Sequence, residues 1–397
     1  MMQTAENAWR HVTRILHSIS RNLCMCPMVL ILLCASTGTW ASSAREGPGT
    51  IISAEAMPGA PDGATAYKVL YRSESRSGEL IPVSGIVIIP PGAPPPGGRP
   101  IVAWAHPTTG IESRCAPSLA RVFFQSVQGL HDMLARGYVV TATDYPGLGT
   151  PEVHPYLVGV SEGRAVLDSV RAARALPTAG ADRRFAVWGH SQGGHAALFA
   201  GLLARQYAPE LALTGIAVAA PATDLGALMR DDQGTGGGNN ITAMTLWSWS
   251  RYYGASITSV VEPAAIPVID QLAGECIERW FDVLIRREPT RALMAGFLTE
   301  GNLADTEPWK RLLELNTPGV LPPDIPVFVA QGADDHLVRP SVTDAYVKAL
   351  CRNGSRVRYE TFPGVGHAFI ARDAANTAVE WLAGRLSGRG IADFCSK

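Results

Sequence analysis

The chain has 397 residues, of which 47% are hydrophobic and 17% are charged, as is typical of a globular protein. Its 34 Lys and Arg residues nearly balance 35 Asp and Glu residues, and the formal net charge is −1. This balance argues against a nucleic-acid partner, and the substrate does not need to be charged.

The first 44 residues have the order of a secretory signal, with basic, then apolar, then small residues. The apolar run 27–33 is shorter than the roughly 20 residues that a permanent membrane-spanning helix needs. Lipid attachment at Cys34 is the alternative, but bulky Leu33 stands where a small residue is expected. We therefore predict a signal peptide at 1–44, with cleavage after Ala41 or Ala44, and a secreted or periplasmic protein.

Strand-like and helix-like runs alternate after this leader. The strand-like runs are 81–90, 101–105, 138–143, 185–189, 215–220, 327–330 and 357–362. The helix-like runs are 119–135, 161–176, 194–206, 341–350 and 371–386. This alternation predicts that residues 45–397 form an α/β domain whose mostly parallel sheet carries helices on both faces.

Residues 225–319 interrupt the alternation, because no strand-like run occurs there. The glycine-rich run 234–238 is expected to be flexible, and aromatic residues follow it: Trp247, Trp249, Tyr252, Tyr253, Trp280, Phe281 and Phe297. A region of this length is too long for an unstructured loop, so we predict a helical insertion. We expect it to cap the active site, with Trp247, Trp249, Tyr252 and Tyr253 lining an acyl pocket or its mouth. An ordinary packed subdomain is the alternative.

Gly189, Ser191 and Gly193 form the pattern G-x-S-x-G between a strand-like and a helix-like run. A serine on such a turn has a strained backbone that exposes its hydroxyl, and glycines two residues away on each side avoid a collision. The pattern can arise by chance, but the strand before it and the helix after it are the context that it requires. Ser191 is therefore predicted to be a catalytic nucleophile.

Acyl transfer also needs hydrogen-bond donors for the oxyanion. The backbone N–H of Gln192, at the start of a helix, is the first expected donor. The second should come from the loop 105–110, where Pro107 has no N–H. The donor there is Thr108 or Thr109, and we choose Thr108. An ordinary strand-terminating turn is the alternative.

The general base is expected to be a histidine that follows the serine in the chain, as it does in α/β-hydrolases. This order excludes six of the nine histidines: His11, His17, His106, His131, His154 and His190. Of the others, His195 lies one turn into the helix after Ser191, and His336 adjoins the acid candidates. His367, in a glycine-rich loop after the last strand-like run, is therefore the predicted base.

Two aspartates, Asp334 and Asp335, follow the strand-like run 327–330 and could orient the base. The spacing G-x-x-D-x-x-V favours Asp335, whereas Asp334 is typical of a turn residue. Asp224 is a third candidate, but its position before Leu225 is typical of a helix N-cap.

Four cysteines remain after the leader: Cys115, Cys276, Cys351 and Cys395. An even number in an exported chain favours two disulfides, and the sequence leaves three connectivities open. Buried free thiols are the alternative.

Six motifs carry a family resemblance: WAHPTTG at 104–110, CAPS at 115–118, DYPGLG at 144–149, GHSQG at 189–193, NTP at 316–318 and QGADD at 331–335. Together they resemble the secretory lipase family, the fungal lipase A-like α/β-hydrolases and their bacterial relatives. The likeness runs from about Tyr67 to Cys395.

The resemblance implies an α/β-hydrolase fold with a helical cap inserted before the strand that carries the acid. It implies a triad of Ser191, Asp335 and His367, and disulfides that pair Cys115 with Cys276 and Cys351 with Cys395. One departure is Pro107, which stands where relatives usually have glycine.

We therefore expect a secreted serine hydrolase, a lipase or carboxylesterase, in which Ser191 attacks a carboxylic ester. His367 takes the proton, Asp335 holds the imidazolium, and water cleaves the acyl-enzyme, without metal or organic cofactor. The expected partner is a small-molecule ester or a lipid, with transient lipid-interface contact through the cap. The alternatives are a serine peptidase or acyltransferase that uses the same triad, and a non-catalytic binding relative.

Overall fold

The computed structural model describes residues 46–277, 287–294, 296–299, 301–389 and Cys395. The predicted signal peptide, Trp280 and Phe281 lie outside these residues. The strands are β1 Ile51–Met57, β2 Thr65–Glu74, β3 Leu80–Ile89, β4 Arg99–Ala105, β5 Val139–Thr143, β6 Ala181–His190, β7 Ala212–Ala219, β8 Val327–Gly332 and β9 Val357–Phe362. The α-helices are α1 Phe123–Ser126, α2 Leu130–Ala135, α3 Gly159–Ala175, α4 Gln192–Tyr207, α5 Leu225–Asp231, α6 Gly236–Tyr252, α7 Ile266–Ala273, α8 Arg287–Met294, α9 Trp309–Asn316, α10 Pro340–Arg352 and α11 Ile370–Leu386.

The nine strands form one sheet in the order β1-β2-β3-β5-β4-β6-β7-β8-β9. The pairs from β1 to β5 are antiparallel, and every pair from β5 to β9 is parallel. The carboxyl ends of β6, β8 and β9 therefore meet at one edge of the sheet, where sites of open α/β sheets form.

Alternate residues of the central strands enter two hydrophobic cores, one on each face of the sheet. In β6, Phe185 and Val187 face the core that contains α3, α4 and α10, whereas Ala186 and Trp188 face the core that contains α2 and α11. Burial on both faces explains why these strands have nearly continuous apolar sequences. The predicted mostly parallel sheet with helices on both faces is confirmed.

Two expectations about the first 140 residues differ from the structure. Strands β1 and β2 have no counterpart among the predicted runs. For β1 the reason is that it is an edge strand with largely exposed side chains, so its sequence lacks a clear apolar alternation. The predicted helix at 119–135 is wrong as a single element. Residues 127–129 break it into α1 and α2, and Gly129, with a left-handed φ of 80°, is the N-cap of α2.

The residues described between 225 and 319 are helical or irregular, with one isolated bridge between Val261 and Leu298, and we call this region the helical segment. The glycine-rich run 234–238 leads into α6, which begins at Gly236. Thr235 caps α6, because its Oγ1 accepts a hydrogen bond from the N–H of Gly238 at 3.0 Å. No helix among the described residues is long and apolar enough to cross a membrane.

Two disulfides connect Cys115 with Cys276 and Cys351 with Cys395. The first joins a 3₁₀ turn after β4 to the residues that follow α7, and so fastens the helical segment to the sheet domain. The second fastens the chain end to the last turn of α10. These are the pairs that the resemblance implies.

Candidate active site

Ser191 lies between β6 and α4 with a φ of 56°, a left-handed conformation that is strained for any residue with a side chain. The two flanking glycines permit this turn. A Cβ on Gly189 would lie 2.1 Å from the carbonyl oxygen of Gly193, and a Cβ on Gly193 would lie 1.9 Å from the carbonyl oxygen of Ala105. Both positions therefore accept only glycine.

Three side chains from the carboxyl ends of β6, β8 and β9 form one chain of hydrogen bonds. His367 Nε2 lies 2.8 Å from Ser191 Oγ, and His367 Nδ1 lies 2.8 Å from Asp335 Oδ2. Asp334 and His336, the neighbours of Asp335, are exposed. The structure thus brings Ser191, His367 and Asp335 together and leaves the other two outside.

Asp335 is held as an anion by its surroundings. Its Oδ1 accepts hydrogen bonds from the N–H groups of Leu337 and Val338, both at 2.9 Å. Burial alone would raise the pKa of Asp335, but His367 and these two N–H groups outweigh it and lower the pKa below its ordinary value. A buried carboxylate on Nδ1 fixes the imidazole so that Nε2 faces the serine.

His190, directly before Ser191, packs against His367. Its Nε2 donates to the carbonyl oxygen of His367 at 3.0 Å, and the two rings have centroids 5.1 Å apart. Burial lowers the pKa of His190 to about 3, so this ring is neutral near pH 7. It braces the loop that carries the base.

The rejected candidates have structural partners elsewhere. Asp224 is exposed and caps α5, since its Oδ1 accepts from the N–H of Ala227 at 2.8 Å. His195 is fully buried below Ser191, where its Nε2 donates to the carbonyl oxygen of Asn316 at 2.7 Å. Neither side chain is placed to act on the hydroxyl of Ser191.

The two expected oxyanion donors adjoin Ser191. Gln192 is the first residue of α4 and is buried, so its N–H belongs to the unpaired first turn of that helix. Thr108 lines the same cavities as Ser191, and its Oγ1 bonds the hydroxyl of Tyr156 at 2.9 Å. Thr109 uses its carbonyl oxygen to accept from the N–H of Ile277 at 2.8 Å, which joins this loop to the helical segment.

Ser191 opens into a cavity of about 580 Å³, which we call the large cavity. Its walls are mostly apolar and include Trp104, Val122 and Phe369 of the sheet domain and Ile241 and Met244 of α6. This volume is ordinary for a small-molecule site. An apolar acyl or alkyl group would therefore be accommodated next to the nucleophile.

The expectation that Trp247, Trp249, Tyr252 and Tyr253 line the acyl pocket is wrong. None of the four lines the large cavity among the described residues. Trp249 is buried and donates from Nε1 to the carbonyl oxygen of Tyr156 at 2.8 Å, while Trp247 lies under the guanidinium of Arg251. On α6 the residues that line the large cavity are instead Gly237, Asn240, Ile241 and Met244, which precede the tryptophans.

A buried glutamate organises the underside of the site. Glu162 of α3 is fully buried, and its Oε1 accepts from the side-chain amide of Gln192 at 2.6 Å and from the N–H of Leu157 at 2.9 Å. Its Oε2 lies 3.2 Å from His195 Nδ1. His195 thus connects the carboxylate of Glu162 to the carbonyl oxygen of Asn316.

Sequence reasoning missed Glu162, His190 and the α6 residues of the large cavity. A charged residue inside an otherwise apolar helix face is the signal that could have identified Glu162. His190 was discarded only because it precedes the serine in the chain. Nothing in the sequence distinguishes Met244 from other apolar residues of α6.

Comparisons with known proteins identify the family of the chain. A profile of the secretory lipase family matches residues 125–393. Lipase A of Arthroderma benhamiae is 26% identical over 88% of this chain and 78% of its own. A Mycobacterium tuberculosis protein described as a probable inactive lipase is also 26% identical, over 84% of this chain and 76% of its own.

Solved structures show the same α/β-hydrolase fold. Candida antarctica lipase A superimposes with a TM-score of 0.76 at 19% identity, over 88% of this chain and 85% of its own. The rice cell wall degrading esterase LipA of Xanthomonas oryzae gives a TM-score of 0.70 at 19% identity, over 87% of this chain and all of its own (100%). With its profile match over more than half of its length, the chain belongs to the secretory lipase family.

Proposed function

We propose that the protein is a serine hydrolase that cleaves carboxylic esters through an acyl-enzyme on Ser191. His367 removes the serine proton and later returns it to the leaving alcohol, and Asp335 stabilises the imidazolium. The N–H groups of Gln192 and Thr108 stabilise the oxyanion. Water, activated by His367, then releases the acid, and no step needs a metal or an organic cofactor.

The observation that carries this proposal is the continuous chain from Asp335 Oδ2 through His367 to Ser191 Oγ, with two links of 2.8 Å, at the wall of an apolar cavity. A relative described as a probable inactive lipase makes activity a matter for experiment. The intact triad geometry here supports an active enzyme rather than a binding relative.

The substrate is an ester with an apolar acyl or alkyl group, because the wall area of the large cavity is mostly apolar. We propose the helical segment as the cap over Ser191, since Ile241 and Met244 of α6 form one wall of that cavity. A lipid surface would contact the protein transiently through this cap. The natural substrate is thus a lipid or a smaller carboxylic ester.

The protein is proposed to be secreted. The basic, apolar and small residues of the leader support a signal peptide at 1–44, and residues 45–397 then form the mature hydrolase domain. Two disulfides are consistent with an oxidising compartment.

A substrate panel tests the proposal. The purified protein is assayed on 4-nitrophenyl esters, a triglyceride emulsion and peptide amides, beside Ser191→Ala. We expect ester hydrolysis in the native protein and its loss in the variant. A rate jump above the solubility limit of the triglyceride identifies a lipase, whereas simple saturation identifies a carboxylesterase. Cleavage of amides but not esters, or equal activity in Ser191→Ala, would refute the proposal.

Neighbouring aspartates provide a matched pair for the acid. Asp335→Asn should lower kcat by roughly three to four orders of magnitude, because the imidazole loses its orienting anion. Asp334→Asn removes the same charge from an exposed side chain and should stay within about twofold of the native protein. If both variants lose activity equally, Asp335 does not have this role.

A further inference from the structure

A second, smaller cavity adjoins Ser191. It measures about 30 Å³ and shares Thr108, Ser191, Ile241 and Leu337 with the large cavity. This small cavity has room for a water molecule or a group of similar size. A substrate whose main apolar group lies in the large cavity can therefore place a second, much smaller group in the small cavity, beside the carbonyl that is cleaved.

One wall of the small cavity carries an unusual polar group, Asp232, in the turn between α5 and α6. The residue is 3% exposed, and its Oδ1 has no hydrogen-bond partner among the residues that the structure describes. The nearest cation, Arg339 Nε, lies 3.8 Å from Oδ1, which is too far for a hydrogen bond. A buried carboxylate oxygen without a donor is costly, and few native proteins retain one without a use.

Gln192 also lines the small cavity and carries an unsatisfied acceptor of its own. Its side-chain amide nitrogen donates to Glu162 Oε1 at 2.6 Å, which fixes the amide orientation. Its Oε1 is buried and lacks a partner among the described residues. Two residues that line the small cavity thus carry acceptors without donors, while much of the remaining lining is apolar and includes Leu225 and Leu228.

Acceptors without donors select a ligand that donates hydrogen bonds. A cationic donor is disfavoured, because the guanidinium of Arg339 already lies near Asp232. Burial raises the pKa of Asp232 to about 7, so its negative charge is itself only weakly retained near neutral pH. A small neutral donor, a hydroxyl group, fits both the size and the chemistry.

We propose that the small cavity binds a hydroxyl-bearing branch of the ester, with Asp232 as the acceptor that selects it. This specificity rests on the proposed ester hydrolysis. The hydroxyl belongs either to the acyl part, as in a 2-hydroxy acid, or to the alcohol part, as in a glycol ester or a partial glyceride. A methyl group in the same place leaves Asp232 without its donor.

Isosteric ester pairs distinguish the two sources. The acyl arm compares 4-nitrophenyl glycolate with 4-nitrophenyl propionate, and the alcohol arm compares 2-hydroxyethyl octanoate with propyl octanoate. In at least one arm the native protein should favour the hydroxylated ester in kcat/KM by about 10- to 100-fold, after correction for alkaline hydrolysis rates. The arm that shows the preference identifies the side of the ester that enters the small cavity.

Variants of two adjacent aspartates supply the control. Asp232→Leu should abolish the preference, and Asp232→Asn, which keeps a weaker acceptor, should reduce it. Asp231→Asn should retain it, because Asp231 does not line the small cavity. No preference in the native protein, or an unchanged preference in Asp232→Leu, would overturn the proposal.

A binding measurement separates this proposal from the proposed function. Octane-1,2-diol should raise the Tm of the native protein more than octan-1-ol does, and this difference should vanish in Asp232→Leu. If the native protein hydrolyses no ester, the proposed function fails, while the diol still tests the small cavity. Equal shifts from both alcohols in the native protein would contradict the cavity assignment alone.

Discussion

His190, which directly precedes Ser191, donates a hydrogen bond from Nε2 to the backbone carbonyl oxygen of His367. The side chain of His367 in turn lies against Ser191 Oγ. The bond joins the end of β6 to the loop after β9. This bond helps to position His367, whose Nε2 lies 2.8 Å from Ser191 Oγ.

Replacing His190 should therefore lower kcat with little change in KM. We expect His190→Leu to lose roughly tenfold in kcat, about 1.4 kcal/mol of transition-state stabilisation, because the loop of His367 loses a buried donor. His190→Gln, which can donate from its amide, should recover part of the rate. Steady-state kinetics on a short nitrophenyl ester measure both variants, and equal kinetics for His190→Leu and the native protein would contradict this role.

Acyl-chain selectivity should depend on Met244 rather than on the tryptophans of α6. Met244 lines the large cavity, whereas Trp247 does not. Met244→Trp should fill part of the cavity and lower kcat/KM for long acyl esters relative to short ones, by about 0.8 kcal/mol per displaced methylene. Trp247→Ala is the control and should leave the chain-length profile unchanged. The opposite pattern across a C2 to C16 ester series would refute this assignment.

A methyl group at Gly193 should disturb both the turn at Ser191 and the loop that contains Thr108. Its Cβ would lie 1.9 Å from the carbonyl oxygen of Ala105, which ends β4 just before the loop of Thr108. Gly193→Ala should therefore destabilise the fold by about 1–3 kcal/mol and remove most of the activity. In Gly319→Ala the added Cβ meets no heavy atom within 4 Å. Denaturant unfolding and ester hydrolysis should show that variant to be close to native.

Buried neutral histidines should make the fold sensitive to acid. Burial lowers the pKa of His154 to about 3 and the pKa of His106 to about 4. Because the unfolded chain binds these protons first, their contribution to stability is present above about pH 6.5 and is lost as the pH falls. Asp168 and Asp232 act in the opposite direction, since burial raises their pKa values to about 6 and about 7.

The test of this linkage is therefore a difference between variants. Between pH 6 and pH 4, the free energy of unfolding of His154→Gln should fall less steeply than that of the native protein, by on the order of 1 kcal/mol per pH unit. Urea unfolding at several pH values measures these slopes, and parallel curves for the native protein and His154→Gln would disprove the linkage.

The sequence predicted those features that depend on chain order and on local backbone chemistry. The turn at Ser191 could be recognised because Gly189 and Gly193 are both required there: a Cβ on Gly189 would meet the backbone of Gly193, and a Cβ on Gly193 would meet the end of β4. The parallel strands could be recognised because burial on both faces leaves continuous apolar runs. Asp335 was favoured over Asp334 by a spacing that reflects its bonds to the N–H groups of Leu337 and Val338.

Other features depend on contacts between segments that are distant in the chain. Trp249 belongs to the aromatic residues that the sequence led us to expect at the site, yet its indole N–H donates a hydrogen bond to the backbone carbonyl oxygen of Tyr156, 93 residues away. Asp232 resembles any acidic residue at a helix end, and only the packing of α6 against the sheet domain reveals that its carboxylate is buried. Helix periodicity identifies an apolar face but not which part of that face lines a cavity.

The carboxylate of Glu162 has an evolutionary consequence. It contacts the side chains of Gln192 and His195, and His195 in turn contacts the carbonyl oxygen of Asn316. Losing one member of such a buried pair leaves the other unpaired, which costs roughly 3–5 kcal/mol, a large part of the stability of a typical domain. Substitutions at these positions should therefore occur together rather than singly. In an alignment of homologues, Glu162, Gln192 and His195 should covary.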